Sequence, residues 1–167
     1  AARLEAASRK YVDGVYEREL KPVITDPNAK KEDVRRAVQA TWRLKILSAD
    51  KDIVALLKRP DVTPVERRKL YSLLASMGTP ACVNALLDAA GSDKDAAQAL
   101  TRADACSLET LITELPAGDG TEPTARQLIA YRATVFVARS GQPRPDQFWT
   151  SSPPERCAGE IQRLKDR

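Results

Sequence analysis

The chain has no histidine among its 167 residues. That absence removes the commonest general base, the commonest metal ligand and every His-based catalytic triad. Aromatic residues make up only 5% of the sequence, so the core must be built from Leu, Val, Ile and Ala. Such a core favours closely packed helices over a β-sandwich. Strand signals are nearly missing. The one β-branched run, Thr134-Val135-Phe136-Val137, lies inside a stretch of helical spacing and reads as buried helix. No apolar stretch reaches the roughly 20 residues that a membrane-spanning helix needs. Cysteine occurs three times, as Cys82, Cys106 and Cys157, and never as a Cys-x-x-Cys pair, which argues against a zinc or redox motif. No metal and no cofactor is therefore expected. Two readings of the cysteines stand. All three are reduced, buried small hydrophobes, or the chain carries one disulfide, with Cys82 and Cys106 as the candidate pair because each opens a neighbouring predicted helix. The start at Ala1-Ala2 rather than Met, taken with that pair, leans toward an exported or periplasmic chain, including the soluble part of a membrane-anchored protein.

What is present is ordinary for a globular chain: 43% apolar residues, 30% charged residues and a formal net charge of +4. A length of 167 residues fits one domain with a sizeable core. The segment "TPACVNALLDAAG" (residues 79–91) shows the local grammar. Thr79 is a cap, Pro80 fits the first helical position, and Gly91 can close the last turn. Val83, Leu86, Leu87 and Ala90 between them form one apolar stripe.

The same grammar recurs. A first helix over residues 1–20 would place Leu4, Ala7, Tyr11 and Val15 on one side, with Pro22 ending or kinking it. A second, from near Lys31 to about Ser48, would carry Ala37, Ala40, Leu44 and Leu47, broadened by Trp42. Ile53, Leu56 and Leu57 mark a short helix stopped by Pro60. Thr63, Pro64 and Glu66 form a capping-box start, followed by Leu70, Leu73, Leu74 and Met77 and closed by Gly78. Ala96, Ala99, Leu100 and Ala103 make another stripe. Ser107 would cap a helix with Leu108, Leu111, Ile112 and Leu115. A longer helix from about Pro123 to Ser140 turns Leu128, Tyr131, Val135 and Ala138 inward.

The pattern apolar-x-x-apolar-apolar starts at Ile53, Val83 and Leu108, with another helix between successive starts. A loose period of about 25–30 residues built from helix pairs resembles short HEAT-type repeats over residues 51–141. That resemblance implies an α-solenoid, a right-handed stack of short antiparallel helix pairs. An irregular antiparallel helix bundle yields the same spacing. Either way the fold class is all-α. The chain divides into N-terminal helices (1–49), the repeat-like core (51–141) and a tail (142–167) with proline at four positions in "GQPRPDQFWTSSPPERC". Those prolines predict extended backbone before a last short helix carrying Cys157, Ile161 and Leu164. Phe148-Trp149, in the middle of the tail, is either an anchor folded back on the helices or an exposed partner contact.

Candidate chemistry is sparse. Glu17 and Glu19 point in different directions on a helix, while Glu32-Asp33 and Asp93/Asp95 sit at helix starts, where the dipole accounts for them. Basic residues cluster at helix ends, notably Arg35-Arg36 and Arg67-Arg68-Lys69. In a stack these would line one surface and meet an acidic protein or phosphates. They would otherwise be solvated faces with helical ion-pair partners. The leading expectation is a non-enzymatic protein-binding domain of adaptor, scaffold or inhibitor type. Its candidate contacts are Arg35, Arg36, Arg67, Arg68, Lys69, Phe148 and Trp149. The partner is another protein or a second copy of the chain. Nucleic-acid binding through the basic helix ends is the second reading, and a carboxylate-dependent enzyme the third.

Overall fold

Proline 22 sets the shape of the N-terminal region. Pro lacks an N–H and its ring collides with the carbonyl four residues back in a regular α-helix. The computed structural model, which describes residues 2–167 and side chains from Glu5 onward, meets this with a wide turn. Helix α1 (Ala2–Val15) passes into a π-helical turn over Tyr16–Leu20, where the Lys21 amide bonds the Tyr16 carbonyl five residues back, and then into α2 (Lys21–Thr25). The helix thus continues through Pro22. Tyr16 is fully buried and its hydroxyl donates to Asp52 Oδ2 at 2.6 Å. The expected stripe on α1 is displaced by one residue, about 100° of helix rotation. Val12, Tyr16 and Leu20 face the core, whereas Ala7 is exposed and Tyr11 is 71% exposed. The expected contact of Leu4 lies outside the described side chains.

Helix α3 (Lys31–Arg43) is shorter than its spacing predicts, and the reason is its C-terminal cap. Lys45 takes a left-handed φ of 50°. The Ile46 amide then bonds the Thr41 carbonyl and the Lys45 amide bonds the Trp42 carbonyl, each at 3.1 Å, which is a Schellman closure. Ile46 turns into the core, and the inward edge of α3 is Val34, Ala37, Val38 and Thr41. Leu44 and Leu47, expected inward, are about half exposed, as is Trp42.

The central helices follow their sequence punctuation closely. They are α4 (Asp50–Leu57), α5 (Pro64–Met77), α6 (Pro80–Ala90), α7 (Lys94–Leu100), α8 (Leu108–Thr113) and α9 (Ala125–Val137). Thr63 and Glu66 form the capping box of α5, and Gly78 ends it with a left-handed φ of 63°. Thr79 caps α6 by accepting from the Cys82 amide. Gly91, by contrast, keeps right-handed backbone and is no left-handed terminator. Asp104, not Ser107, accepts from the amide that opens the turn leading into α8. Residues 134–137 lie in or at the end of α9, and no strand occurs among the described residues, so the chain is all-α.

Two apolar clusters share α9 as a wall. The larger runs from Tyr16 and Ile24 through α3 to α8 and takes Ala130 and Ala133 from α9; Leu73, Leu86 and Leu111 are all within it and essentially inaccessible. The smaller holds Tyr131 and Val135 of α9 against Leu115, Trp149, Cys157, Ile161 and Leu164. Adjacent residues of one helix thus belong to different clusters, because neighbours on a helix point about 100° apart. Arg126 pins the first turn of α9 to α8 through Glu114 Oε2 at 2.9 Å, and to α6 through Asn84 at 2.7 Å and through Asp88.

The tail folds back. The proline-rich stretch is not wholly extended but includes a one-turn helix α10 (Gln147–Ser151), and the predicted last helix follows as α11 (Pro154–Lys165), with Cys157, Ile161 and Leu164 on its buried edge beside Glu160. All three cysteines are free thiols. The candidate Cys82–Cys106 bridge is absent: Cys82 is wholly buried in the first turn of α6, and Cys106, expected buried if reduced, is exposed on the turn before α8.

Candidate binding groove

A groove of about 680 Å³ opens between α3 and α5. It exists because the two helices pack elsewhere: α3 chiefly on the π-helical turn and α2, α5 chiefly on α4, α6 and α7. Between them remains a trough floored by apolar side chains. Val34, Val38 and Trp42 come from α3, Leu56 from α4, and Leu70 and Leu73 from α5, with Val62 at one end. Trp42, 48% exposed, is the aromatic residue of α3 and lines this trough.

The rim is charged. Arg35 crosses from α3 to Glu66 of α5 with a Nη2–Oε1 distance of 2.9 Å. Glu66 also accepts from the Thr63 hydroxyl at 2.7 Å and from the Thr63 amide at 2.9 Å. These bonds to Thr63, with Arg35 beside it, outweigh partial burial and hold the Glu66 carboxyl down at about 2. Lys31 spans the same gap further along, donating to the Asp61 carbonyl at 2.9 Å. Arg59 pairs with Asp61 at 3.0 Å. Glu32 serves both Arg35 and Arg36, at 3.6 and 3.5 Å. Lys69 makes no ion pair and donates no side-chain hydrogen bond among the described residues, and it stands on the α5 wall of the groove.

The basic run Arg67-Arg68-Lys69 is contiguous in sequence and divided in space. Lys69 lines the groove. Arg68 reaches α7 and pairs with Asp95 at 3.0 Å. Arg67 lines a second hollow of about 610 Å³ on another face, beside Tyr71, Asp88 and Asp93. There burial, together with a 3.0 Å hydrogen bond to Asp93, pushes the Tyr71 hydroxyl up to about 12. Of the predicted contacts, then, the groove gathers Arg35, Arg36 and Lys69 and leaves out Arg67 and Arg68. It adds Trp42, whose part in a groove wall has no signal in the spacing.

Phe148 and Trp149 are distant from this groove in role. Trp149 is 3% exposed and meets Tyr131 edge-on at 4.9 Å between ring centres, so it anchors the tail and offers no face to a partner. Phe148 is half-buried beneath the guanidinium groups of Arg144 and Arg156, at 5.6 and 5.9 Å from its ring centre.

Among the described residues no cluster of three or more Cys, Asp or Glu side chains is arranged to hold a metal, and no helix is long and apolar enough to cross a membrane. No protein-family model, curated protein or solved structure matches this chain, so the resemblance to HEAT-type repeats gains no support from known proteins.

Proposed function

We propose that the chain is a non-enzymatic protein-interaction module that seats a segment of another protein in the groove between α3 and α5. One observation carries this reading: an apolar trough of about 680 Å³, walled by a half-exposed tryptophan and rimmed by charge. Trough and rim together have the anatomy of an interface, with an apolar centre and a polar edge. The strongly depressed carboxyl in the groove, Glu66, is accounted for by helix capping and by Arg35, so it supplies no general acid or base. The nucleic-acid reading is weaker, because Arg35, Arg36 and Arg68 each have a carboxylate partner. A stack of helix pairs as the scaffold accords with the packing of α4 on α6 and of α5 on α7, although α6 also meets α9.

The test is a photo-reactive residue placed at Gln39, which lines the groove, and at Gln98, exposed on α7. In the native cell Gln39 should yield a discrete cross-linked species that vanishes with Val38→Asp, and Gln98 should not. Equal cross-linking from both positions, or none from Gln39, overturns the reading.

A further inference from the structure

We infer that the occupant of the α3–α5 groove is an amphipathic helix with acidic residues on both sides of its apolar stripe. This rests on the groove being a protein-docking site. The secondary-structure class of the guest follows from the walls. Among the described residues there is no strand edge to extend, so a guest cannot dock by adding a strand. A polyproline guest needs an aromatic-lined channel, and among the described residues Trp42 is the one aromatic side chain lining this groove. Two helices with an apolar floor between them suit a third helix, which lays anchors at i, i+3 or i+4 and i+7 into the trough. Helix α3, at 13 residues, offers roughly 20 Å of wall, enough for three to four turns of guest.

The charge of the guest follows from the rim. Five cations line it, Lys31, Arg35, Arg36, Arg59 and Lys69, against three carboxylates, Glu32, Asp61 and Glu66. Two positive charges are left over. They fall on opposite walls. On α3, Arg35 and Arg36 are paired with Glu66 and Glu32, whereas Lys31 has no carboxylate within ion-pair distance among the described residues and donates to the Asp61 backbone carbonyl. On α5, Lys69 has no carboxylate within ion-pair distance among the described residues. A guest lying between them is met by an unspent cation on each flank, which rewards Asp or Glu there and opposes Lys or Arg.

Two synthetic 14-residue helical peptides with the same leucine stripe, one flanked by Glu and one by Lys, provide the probe. The chain has two tryptophans. Trp149 is already buried while Trp42 is not, so burial of Trp42 by a guest gives a blue shift that Trp42→Phe removes. The acidic peptide should bind saturably and weaken with salt. Lys31→Glu with Lys69→Glu, both exposed positions, should cost it about tenfold in affinity and favour the basic peptide. Equal or tighter binding of the basic peptide to the native protein overturns the inferred charge. Binding of neither peptide, with the Gln39 cross-link intact, overturns the helical guest and leaves the docking site standing. A shift of Trp42 caused by decanoate but by neither peptide overturns the inference in favour of a small amphiphile. Loss of both the cross-link and peptide binding removes the docking site itself.

Discussion

The Tyr131 hydroxyl on α9 donates to Glu160 Oε1 on α11 at 2.7 Å, inside the smaller core. Glu160 is 5% exposed and receives Arg163 as well, at 2.8 and 3.0 Å. The same Tyr131 oxygen accepts from the Arg144 amide at 2.9 Å, so one hydroxyl joins α9, the tail loop and the last helix. Tyr131→Phe leaves a buried carboxylate short of a donor and a backbone amide without an acceptor. It should lower stability by about 1–3 kcal/mol in urea titration. Loss should appear first as exchange of α11 amides with solvent, because the larger core lies on the other side of α9.

Acid should weaken the fold through two glutamates. Burial raises the Glu160 carboxyl, but its bonds to Arg163 and Tyr131 and the charge of Arg144 outweigh that and bring it below the usual 4.5. Glu66 is held at about 2. A carboxyl lowered by folding adds stability that is complete above its unfolded value and drains as pH falls through its folded value. Urea midpoints should therefore be flat around neutral pH and fall from about 4.5 toward 2. Glu66→Gln should lower the neutral-pH midpoint and shallow the fall. An unchanged slope in that variant contradicts the assignment.

Gly118 lies against α11 with a left-handed φ of 71°. A Cβ there would sit 2.9 Å from Ile161 Cδ1 and 3.0 Å from the Ala158 amide nitrogen. Ile161 can shift, but helix backbone cannot. Gly118→Ala should cost about 1–3 kcal/mol, with the loss concentrated in the docking of α11. Gly91→Ala, where nothing lies within 4 Å and the backbone is right-handed, is the matched control and should not destabilise.

Lys45 closes α3 in a conformation that suits glycine. Arg139 does the same for α9, with a φ of 51°, its own amide bonding the Phe136 carbonyl and the Ser140 amide bonding the Val135 carbonyl. Lys45→Gly and Arg139→Gly should each raise stability by about 1 kcal/mol in thermal or urea unfolding.

These two caps also show where sequence reasoning reaches its limit. Where a helix end is written in side-chain chemistry, as at Thr63-Pro64-Glu66, Thr79-Pro80 and Gly78, the structure places it as the spacing predicts. Where a lysine or arginine does the work of glycine, nothing in the residue type reports it, and α3 is read too long. The error carries Leu44 and Leu47 from core to surface. Arg35-Arg36 and Lys69 were legible as a charged face. Their meeting across a groove was not, because it depends on the gap between α3 and α5, a long-range property. Trp42 and Trp149 are one residue type with opposite fates. The surroundings decide: Trp42 borders a gap that no helix fills among the described residues, while Trp149 is covered by the returning tail.

Glu66 holds two offices at once, fastening the opening turn of α5 and tethering Arg35 on the far wall. The gauge of the channel and the start of that helix are consequently one mechanical quantity. A visitor that drew Arg35 toward itself would slacken the neighbouring turn, so occupancy would be felt along α5 without any hinge being needed.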